Sequence, residues 1–522
     1  MPSRAAAPAR KRSGRSLFHK VLVANRGEIA ARVIRSCRRL GIATVAICSE
    51  VDRAALHARM ADEVRHVGPA PPSQSYLDME AILAAARESG AQAVHPGYGF
   101  LSENPEFAEA CRREGLVFIG PGPASMRKLG NKIEARRRMA AAGVPVVPGL
   151  EKKDLDEKEL ARWAAKNGYP ILLKAAAGGG GRGMRVIRSP AELGPGLASA
   201  RGEARTAFGD DTIFAERYLE KCRHIEVQVL VDSYGKGISL GERECSLQRR
   251  HQKLLEETPS PVVDGTIRRK LGRWALAACE AAGYANAGTV EFLRDEDGHF
   301  YFLEINARLQ VEHPVTEMVM GLDLVEAQIR IAAGEPLPVA AETLQPRGWA
   351  MECRIQAEDP ADGFRPSPGR IHLYRPPEGP RVRVDSGVAE GDEVSLFYDS
   401  LLAKLIVSGR DREAAIGTMA TALAEFRIGG VATTLPFHRR VMSDPDFRAG
   451  VIDTGFVDRF LATKEPELDE ETEAAALVAA AHLHQRGSRR QATTPRNASA
   501  WTLAGRQAQQ RRGGPQSSWG EP

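Results

Sequence analysis

Residues 172–186 read LLKAAAGGGGRGMRV, an apolar strand that carries Lys174 and is followed shortly after by four consecutive glycines. A backbone without side chains lets its N–H groups approach a phosphate closely, but it also gives a linker its flexibility. The spacing is not that of a P-loop, whose lysine follows the glycines. Arg182 and Arg185 add charge that a linker does not need. The stretch therefore favours a mobile, anion-binding lid over a flexible linker.

The charge of the chain is divided between acidic and basic parts. Residues 1–20 carry six Lys/Arg and no acid, and residues 486–522 carry seven Arg and one Glu, so a net charge of +5 leaves −7 on the remainder. An acidic body with basic ends argues against a broad nucleic-acid surface, although either tail could contact an acidic partner. A length of 522 residues suits about three domains.

Cysteine and apolar patterns indicate the compartment. The seven cysteines form no CxxC pair, which favours a reducing compartment without a disulfide framework or zinc site. No apolar run reaches the ~18 residues of a membrane span. The acid-free N-terminus has the composition of an organellar transit peptide or, as we prefer, a disordered basic end. We predict a soluble cytoplasmic protein, with the organellar matrix as the alternative.

The first 130 residues show alternating strand and helix signals. Strand patterns occur at 20–27, 41–48, 91–97 and 116–122, of which the last two end in Gly/Pro turns, and a helical apolar pattern follows the first strand. This order predicts a doubly wound α/β domain, in which ligands gather at the strand ends. HPGYGFLSEN (95–104) leaves one such end, so Tyr98 and Glu103 either contact a ligand or belong to an aromatic turn.

The remaining chain divides by composition into further units. Residues 131–220 suggest a small α/β unit that contains the glycine run, and residues 221–463 suggest a larger α+β region with a helix near 411–427. An Ala-rich helix with acids at its start is predicted at about 468–485. The sequence after it has the composition of disorder.

A candidate metal site follows from a predicted hairpin. AGTVEFLR (287–294) and HFYFLEIN (299–306) flank the turn DEDG. With a four-residue loop, Glu291 lies opposite Phe302, and period-two alternation places Glu304 and Asn306 on the same face. Such oxygen ligands suit Mg²⁺ or Mn²⁺. A turn of three residues would direct Glu291 to the opposite face of the hairpin. The alternative to a metal site is a strand face that is exposed to solvent.

Two neighbouring segments add charges of both signs. In ARLQVEHPVTE (307–317) the period-two alternation is expected to continue, which places Arg308, Gln310 and Glu312 on the same face as Glu304 and Asn306. Pro314 is expected to keep His313 out of the helical region. CSLQRRHQK (245–253) contributes Gln248, His251 and Lys253, although alone it would be a solvated helix or loop face. Together with the lid, these are the components of phosphoryl transfer: charge neutralisation, positioning and a base.

A series of motif blocks in a fixed order connects these features. The blocks are NRGEIA (25–30), HPGYGFLSEN (95–104), IGPGPASMRKLGNK (119–132), the glycine run, CRHIEVQVL (222–230), ERECSLQRRHQK (242–253), NARLQVEHPVTE (306–317), ECRIQAEDP (352–360) and FYDSLLAKLIV (397–407). Over residues 18–463 the chain strongly resembles biotin carboxylase, the ATP-grasp component of acetyl-CoA and related acyl-CoA carboxylases.

The resemblance implies a fold and a set of domains. The fold is α/β and α+β: an ATP-grasp fold with an N-terminal Rossmann-like domain, a mobile glycine-rich lid and a C-terminal biotin carboxylase domain. The implied segments are a basic tail (1–18), the N-terminal domain (19–130), the lid (131–220), the ATP-grasp catalytic subdomain (221–345), the C-terminal domain (346–463), an Ala-rich helix (464–487) and a second basic tail (488–522).

The resemblance also implies the site residues. Those implied for ATP are Lys132, Lys174, Gly178, Gly179, Gly180, Gly181, Gly183, Met184, Glu216, Arg217, Leu219, His224, Gln248 and His251. Those implied for metal, with two ions expected, are Glu291, Glu304 and Asn306. Those implied for bicarbonate and biotin are Lys253, Arg308, Gln310, Val311, Arg354 and Tyr98. Catalysis is assigned to Glu312 as the base, with Arg308, Lys253 and Arg354.

The implied reaction joins bicarbonate to biotin. ATP, with Mg²⁺ or Mn²⁺, would convert bicarbonate to carboxyphosphate, and Arg354 would stabilise the biotin enolate that takes up CO₂. The expected partners are a biotin carboxyl carrier protein, a second copy of the chain and a carboxyltransferase subunit, with no nucleic acid and no membrane. The expected pathway is acetyl-CoA carboxylation toward malonyl-CoA and fatty acids, with propionyl-CoA or another acyl-CoA as alternatives.

Three departures and two rival functions complete the expectations. Ala177 stands at a position where some members have glycine, Arg217 replaces a common lysine, and no MKM biotinylation motif occurs, so biotin is expected on another chain. SAWTLAGRQ (499–507) faintly resembles the linker of longer subunits. A different ATP-grasp ligase would not need Arg354 or the RLQVE pocket, and a non-catalytic scaffold would not need Glu312, Lys253 and Arg308 together.

Overall fold

The computed structural model describes residues 17–152, 155–176, 184–338, 344–463 and 478. The chain divides into two units, residues 1–459 and 460–522, and every sheet described below lies in the first. The predicted glycine lid from 178 to 183, most of the Ala-rich helix and both basic tails lie outside the described residues.

The N-terminal part is a five-stranded parallel sheet with the order β3-β2-β1-β4-β5. Its strands are β1 (Lys20–Val23), β2 (Ala43–Ser49), β3 (Glu63–Gly68), β4 (Ala93–His95) and β5 (Val117–Phe118). Its helices are α1 (Gly27–Arg39), α2 (Leu56–Met60), α3 (Met79–Ser89), α4 (Pro105–Arg113) and α5 (Pro123–Gly130). The predicted doubly wound order is confirmed. The near-continuous apolar strands β1, β2 and β4 are buried on both faces, as is usual for parallel sheets, whereas the edge strand β3 is partly exposed.

The next part is a small antiparallel sheet with the order β6-β9-β7-β8. Its strands are β6 (Gly149–Leu150), β7 (Ile171–Ala175), β8 (Met184–Ile187) and β9 (Ile213–Arg217), and the accompanying helices are α6 (Lys132–Ala141), α7 (Glu157–Asn167) and α8 (Leu193–Phe208). The sheet and two of these helices share a separate apolar core. Strands β7 and β8 flank the glycine run, so Lys174 and Met184 are register partners.

The largest sheet is antiparallel, with the order β14-β13-β10-β11-β12-β15-β22-β20. The strands contributed by residues 221–345 are β10 (Arg223–Val231), β11 (Gly237–Arg249), β12 (Gln252–Thr258), β13 (Asn286–Arg294) and β14 (Phe300–Asn306). The helices of this region are α9 (Gly265–Ala282), α10 (His313–Met320) and α11 (Leu324–Ala332).

The C-terminal region continues the same sheet. Its strands are β15 (Trp349–Gln356), β16 (Glu358–Asp359), β17 (Arg365–Pro366), β18 (Gly369–Arg370), β19 (Leu373–Arg375), β20 (Val382–Ser386), β21 (Glu393–Val394), β22 (Leu401–Gly409) and β23 (Arg427–Gly429). Its helices are α12 (Arg412–Glu425), α13 (Leu435–Ser443), α14 (Pro445–Ala449) and α15 (Phe456–Ala462). Because β12 pairs with β15, one sheet crosses the predicted boundary at residue 345. The domain boundaries stay predictions, and the mixed α/β and α+β class is confirmed.

Three local predictions were wrong. Glu291 pairs with Glu304 and not with Phe302, because five residues and not four separate Arg294 from its partner Phe300, and a bulge near Leu303 shifts the register of β13 and β14 by one more. The strand parity does not continue through residue 312, because β14 ends at Asn306 and a loop follows. His313 lies in the first turn of α10, where Pro314 is tolerated because the N–H of an early helical residue has no intrahelical partner.

The segment CSLQRRHQK forms neither a solvated helix nor a loop. It is the β11–β12 hairpin, and Arg250 and His251 form its turn with φ values of 49° and 65°. Left-handed backbone at two non-glycine residues is uncommon. The tight turn directs Lys253 into the interior, whereas His251 remains exposed.

Candidate active site

A cavity of about 1070 Å³ lies where the N-terminal sheet, the large sheet and the loop after β14 meet. The sequence-predicted site residues on its wall are Tyr98, Lys132, His224, His251, Lys253, Glu291, Glu304, Asn306, Arg308, Gln310, Val311 and Arg354. They come from strands β10, β12, β13, β14 and β15, from helix α6 and from loops. Long-range strand pairing thus brings together residues that are scattered in the sequence.

Lys253 is the centre of the charge network. Its Nζ lies 2.6 Å from Glu226, 3.0 Å from Glu291 and 2.7 Å from Glu312. Although burial opposes the charged form of this lysine, the carboxylates, Glu226 foremost, raise its pKa well above the usual value. Lys253 is therefore a fixed cation that faces the cavity.

Glu312 is wholly buried between two cations. Arg354 Nη2 donates to its second oxygen at 2.9 Å, opposite the contact with Lys253. Burial alone would raise the pKa of Glu312, but Lys253 and Arg354 hold it well below its usual range. Glu312 is consequently ionised at neutral pH, and Glu256 holds Arg354 in turn, with Nε to Oε1 at 2.6 Å.

Arg308 connects the loop after β14 to the wall. It donates to Glu103 at 3.0 Å, to the Gln310 side-chain oxygen at 2.8 Å and to the Asn306 side-chain oxygen at 3.0 Å. Glu103 also accepts from the backbone N–H of Ala307 at 2.8 Å. The predicted contribution of HPGYGFLSEN is therefore seen as a hydrogen-bonded support for Arg308. These bonds give the guanidinium one orientation.

The predicted metal ligands converge on one face. Glu291 and Glu304 are directly opposite, and Asn306 Nδ2 donates to Glu291 Oε1 at 2.9 Å. Among the described residues Glu304 has no hydrogen bond or ion pair, and its pKa is raised, first by burial and then by Glu291. Two carboxylates directly opposite each other fit a divalent cation, which would remove their repulsion, whereas the Asn306 amide oxygen would first have to leave Arg308 to join them.

The predicted nucleotide residues form a second group near the small sheet. Lys174 forms a buried ion pair with Glu216, whose other oxygen accepts from Arg136 at 2.9 Å. Burial lowers the pKa of Lys132, with Lys174 acting in the same direction and Glu304 opposing it. Lys132 begins α6, whose first turn is capped by Asn131. Two lysines are thereby placed beside the predicted lid.

The structure places some predicted residues away from the cavity wall. The predicted residues that the structure describes but that do not line the cavity are Lys174, Met184, Glu216, Arg217, Leu219, Gln248 and Glu312. Glu312 lies behind the wall, in contact with Lys253 and Arg354, which do line the cavity. Arg217 lies 3.4 Å from Asp295 and 3.2 Å from the Tyr301 hydroxyl. The five glycines assigned to the lid lie outside the described residues.

His224 lies on the cavity wall beside a predicted metal ligand. Its Nε2 is 3.0 Å from a carboxylate oxygen of Glu291, and both side chains are buried. Burial opposes the charged form of this histidine, but Glu291 raises its pKa above the usual value. The nearby Glu291 carboxylate thus favours the protonated form of His224 on the face that carries the carboxylates.

Sequence reasoning missed Glu226 and Glu256, which hold Lys253 and Arg354. In RHIEVQVL the polar side chains His224, Glu226 and Gln228 alternate with apolar ones, so a polar strand face was visible. Glu226 also accepts from the buried Arg243 at 2.5 Å. No comparable pattern marks Glu256 in KLLEET, because its partner Arg354 lies 98 residues away.

No helix in the described ranges combines the length and apolar character needed to cross a lipid bilayer. The cytoplasmic location predicted from composition stays a prediction.

Three family models match consecutive parts of the chain. Residues 17–126 match the biotin carboxylase N-terminal domain, residues 131–340 match the ATP-binding domain of the carbamoyl-phosphate synthase L chain, and residues 352–459 match the biotin carboxylase C-terminal domain. The order and extent agree with the blocks that carry the sequence resemblance.

Curated relatives and a solved structure match over most of the chain. A biotin carboxylase of Nostoc is 52% identical over 440 residues, which cover 84% of this chain and 98% of the relative. The propionyl-CoA carboxylase alpha chain of Ruegeria pomeroyi is 48% identical, covering 89% and 72%. The biotin carboxylase domain dimer of Hydrogenobacter thermophilus 2-oxoglutarate carboxylase, solved with MgADP, ADP and bicarbonate, has a TM-score of 0.83 at 47% identity, covering 86% and 100%.

Proposed function

The chain belongs to the biotin carboxylase family of ATP-dependent ligases, and from this premise we propose that it carboxylates carrier-bound biotin with bicarbonate and ATP. Biotin carboxylation is the first half-reaction of biotin-dependent carboxylases. The observation that carries the proposal is the buried Glu312 carboxylate, which lies between Lys253 and Arg354 with Arg308 and Gln310 beside it. A base surrounded by cations suits a small anionic substrate.

The proposed chemistry begins with bicarbonate. Glu312 accepts the bicarbonate proton, and a bicarbonate oxygen then forms a bond to the γ-phosphorus of ATP while the bond to the ADP oxygen breaks. The carboxyphosphate so formed releases CO₂ and phosphate. The phosphate takes the ureido N–H proton of biotin, Arg354 stabilises the enolate, and the ureido nitrogen attacks CO₂. Exclusion of water matters throughout because carboxyphosphate would otherwise hydrolyse.

The low pKa of Glu312 in the free protein must rise for it to act as a base. Lys253 and Arg354 lower this pKa in the absence of substrate. When bicarbonate binds beside these cations, they are shared between two anions, so each stabilises the Glu312 carboxylate less. Substrate binding therefore moves the pKa of Glu312 toward the range in which a carboxylate accepts a proton.

Mg²⁺ or Mn²⁺ would be held by Glu291, Glu304 and Asn306. The unpartnered Glu304 carboxylate opposite Glu291 fits such an ion, among the residues that the structure describes. The metal would supply charge neutralisation at the phosphates of the nucleotide. Lys132 and Lys174 would bind phosphate from the side of the small sheet, and the MgADP in the Hydrogenobacter structure supports this assignment.

The wider role is proposed at two levels. We propose that carboxybiotin is passed to a carboxyltransferase that acts on acetyl-CoA or another acyl-CoA. The propionyl-CoA and 2-oxoglutarate carboxylase relatives indicate that similar chains serve several acceptors. A homodimer is proposed on the strength of the dimer named for the Hydrogenobacter domain.

The test measures phosphate release from Mg-ATP with and without bicarbonate and free biotin. Wild-type turnover should require bicarbonate and increase with biotin. Glu312→Gln should reduce it about 100-fold or more, the range for loss of a general base. The matched control is Glu296→Gln, because this exposed carboxylate lies 3.6 Å from Lys221, well away from the cavity wall. Turnover without bicarbonate, or indifferent to biotin, would assign the chain to a different acceptor.

A further inference from the structure

Lys404 is a wholly buried cation that the proposed chemistry does not use. It lies on β22, where its register partners are Arg354 on β15 and Asp385 on β20. A buried lysine is costly unless its ammonium is paired and hydrogen-bonded. The partners of Lys404 therefore indicate what the chain gains from keeping it.

One partner of Lys404 is the backbone beside the proposed base. The Lys404 Nζ donates to the Val311 carbonyl at 2.7 Å. That carbonyl belongs to the same planar peptide unit as the Glu312 N–H. Holding the carbonyl therefore fixes the plane from which the Glu312 side chain departs. Val311 also lines the cavity, so the contact acts at the wall of the bicarbonate site.

A second partner is Glu28 in the first turn of α1, and the Lys404 ammonium also lies 5.9 Å from the centroid of the Tyr98 ring. Glu28 Oε1 lies 3.3 Å from Lys404 Nζ and also accepts a hydrogen bond from the Tyr98 hydroxyl. Glu28 is buried, and the backbone after β20 packs against it so closely that a Cβ added at Gly387 would lie 2.5 Å from the Glu28 nitrogen. The carboxylate thus has little freedom to leave Tyr98 and Lys404.

These contacts form one continuous chain: Tyr98 hydroxyl, Glu28 carboxylate, Lys404 ammonium, Val311 carbonyl. We propose that Glu28 and Lys404 are positioning residues that hold Tyr98, on the biotin side of the cavity, in a fixed relation to the peptide of Glu312, on the bicarbonate side. This inference rests on the proposed function. According to this inference, two residues outside the predicted site align the bicarbonate side of the cavity with the biotin side.

The role follows from the order of the proposed reaction. CO₂ released on the bicarbonate side must meet biotin before it escapes, so the relative placement of the two half-sites determines how many phosphates are released for each carboxybiotin formed. Neither Glu28 nor Lys404 need contact ATP or phosphate for this. Loss of the chain of contacts should therefore separate phosphate release from biotin carboxylation.

The experiment measures carboxybiotin formed per phosphate released, with free biotin at pH 8. The variants are Lys404→Met, which keeps the length of the side chain without its charge, and Glu28→Gln, which keeps its shape. We expect this ratio to fall about tenfold, the consequence of losing a charge-assisted hydrogen bond, in both variants. Bicarbonate-dependent phosphate release and the KM for ATP should change much less, because Lys253 and Arg354 still hold the Glu312 carboxylate directly.

The matched control is Ile406→Val, a buried position two residues further along β22. It should lower the melting temperature slightly and leave the ratio unchanged. Proportional loss of both products in Glu28→Gln, which is the variant less prone to misfold, would show a merely structural role and overturn the inference. Wild-type protein without bicarbonate-dependent phosphate release would instead overturn the proposed function, so the two failures are distinguishable.

Discussion

The N-terminal parallel sheet and the large antiparallel sheet are both buried, but with opposite chemistry. The interior of the first is mainly hydrocarbon, as at Leu22 and Val45, whereas the second, besides its apolar core, buries the carboxylates of Glu226, Glu256 and Glu312 with no exposed surface. Apolar burial stabilises a fold directly, while a buried ion pair often contributes little net stability after desolvation. We infer that the first sheet supplies a rigid scaffold, whereas the second retains its buried charges for chemistry.

The largest expected effect comes from removing the cation at the centre of the charged sheet. Lys253→Met leaves Glu226, Glu291 and Glu312 without their shared ammonium, and breaking a buried pair costs about 3–5 kcal/mol. We expect this loss in the free energy of unfolding, measured by urea denaturation, together with loss of bicarbonate-dependent phosphate release. A variant as stable as wild type would show that the three carboxylates do not depend on Lys253.

The second prediction concerns the apolar sheet. Leu22→Ala removes a fully buried side chain of β1, and such substitutions cost about 2–5 kcal/mol through lost transfer energy and a cavity. The free energy of unfolding should fall by this amount, while the KM for bicarbonate of the remaining folded protein stays the same. A raised KM for bicarbonate would mean that the scaffold and the charged sheet are not separate in function.

Glu28 lies where the N-terminal region meets the large sheet, in contact with Lys404 of β22. Burial raises the pKa of Glu28 to about 7, with Asp385 also raising it and Lys404 and Arg32 lowering it. A carboxyl whose pKa is higher in the folded state binds more protons there, so its contribution to stability falls as the pH rises from about 4.5 to 7.

Glu28→Gln removes this titration. The free energy of unfolding of the variant, relative to wild type, should therefore increase by up to about 3 kcal/mol between about pH 4.5 and pH 8. Urea denaturation at a series of pH values measures it, with Glu296→Gln as the control that should show no such trend. A difference independent of pH would contradict the raised pKa.

Local pattern sufficed for the scaffold and for part of the site. Alternating strand and helix signals predicted the doubly wound sheet, and the shared face of Glu291, Glu304 and Asn306 was predicted even though the register was wrong. Neither the five-residue turn nor the bulge near Leu303 has a signal in the sequence, because a one-residue shift of register depends on packing against neighbouring strands. His313 was predicted to lie outside a helix because a proline disfavours helical backbone in the residue before it. The packing of helix α10 outweighs this preference, and His313 forms its first residue.

The residues that pattern could not predict are those whose role depends on distant partners. Glu256 meets Arg354, and Glu28 meets Lys404, only after β12, β15 and β22 pair and α1 packs against their sheet. Each would be an ordinary strand or helix residue in isolation. Sequence resemblance supplied the residues expected to contact substrates, whereas the groups that hold them in place became visible in the fold.

The proposed function depends on one step, in which the cluster around Glu312 activates bicarbonate for attack on ATP. The most direct measurement supplies bicarbonate labelled with ¹⁸O in all its oxygens and analyses the released phosphate by mass spectrometry. A bicarbonate oxygen that bonds to the γ-phosphorus remains there when CO₂ departs, so we predict one labelled oxygen in each phosphate formed during the first turnovers. Unlabelled phosphate from an active enzyme would show that water, and not bicarbonate, attacks ATP, and would contradict this mechanism.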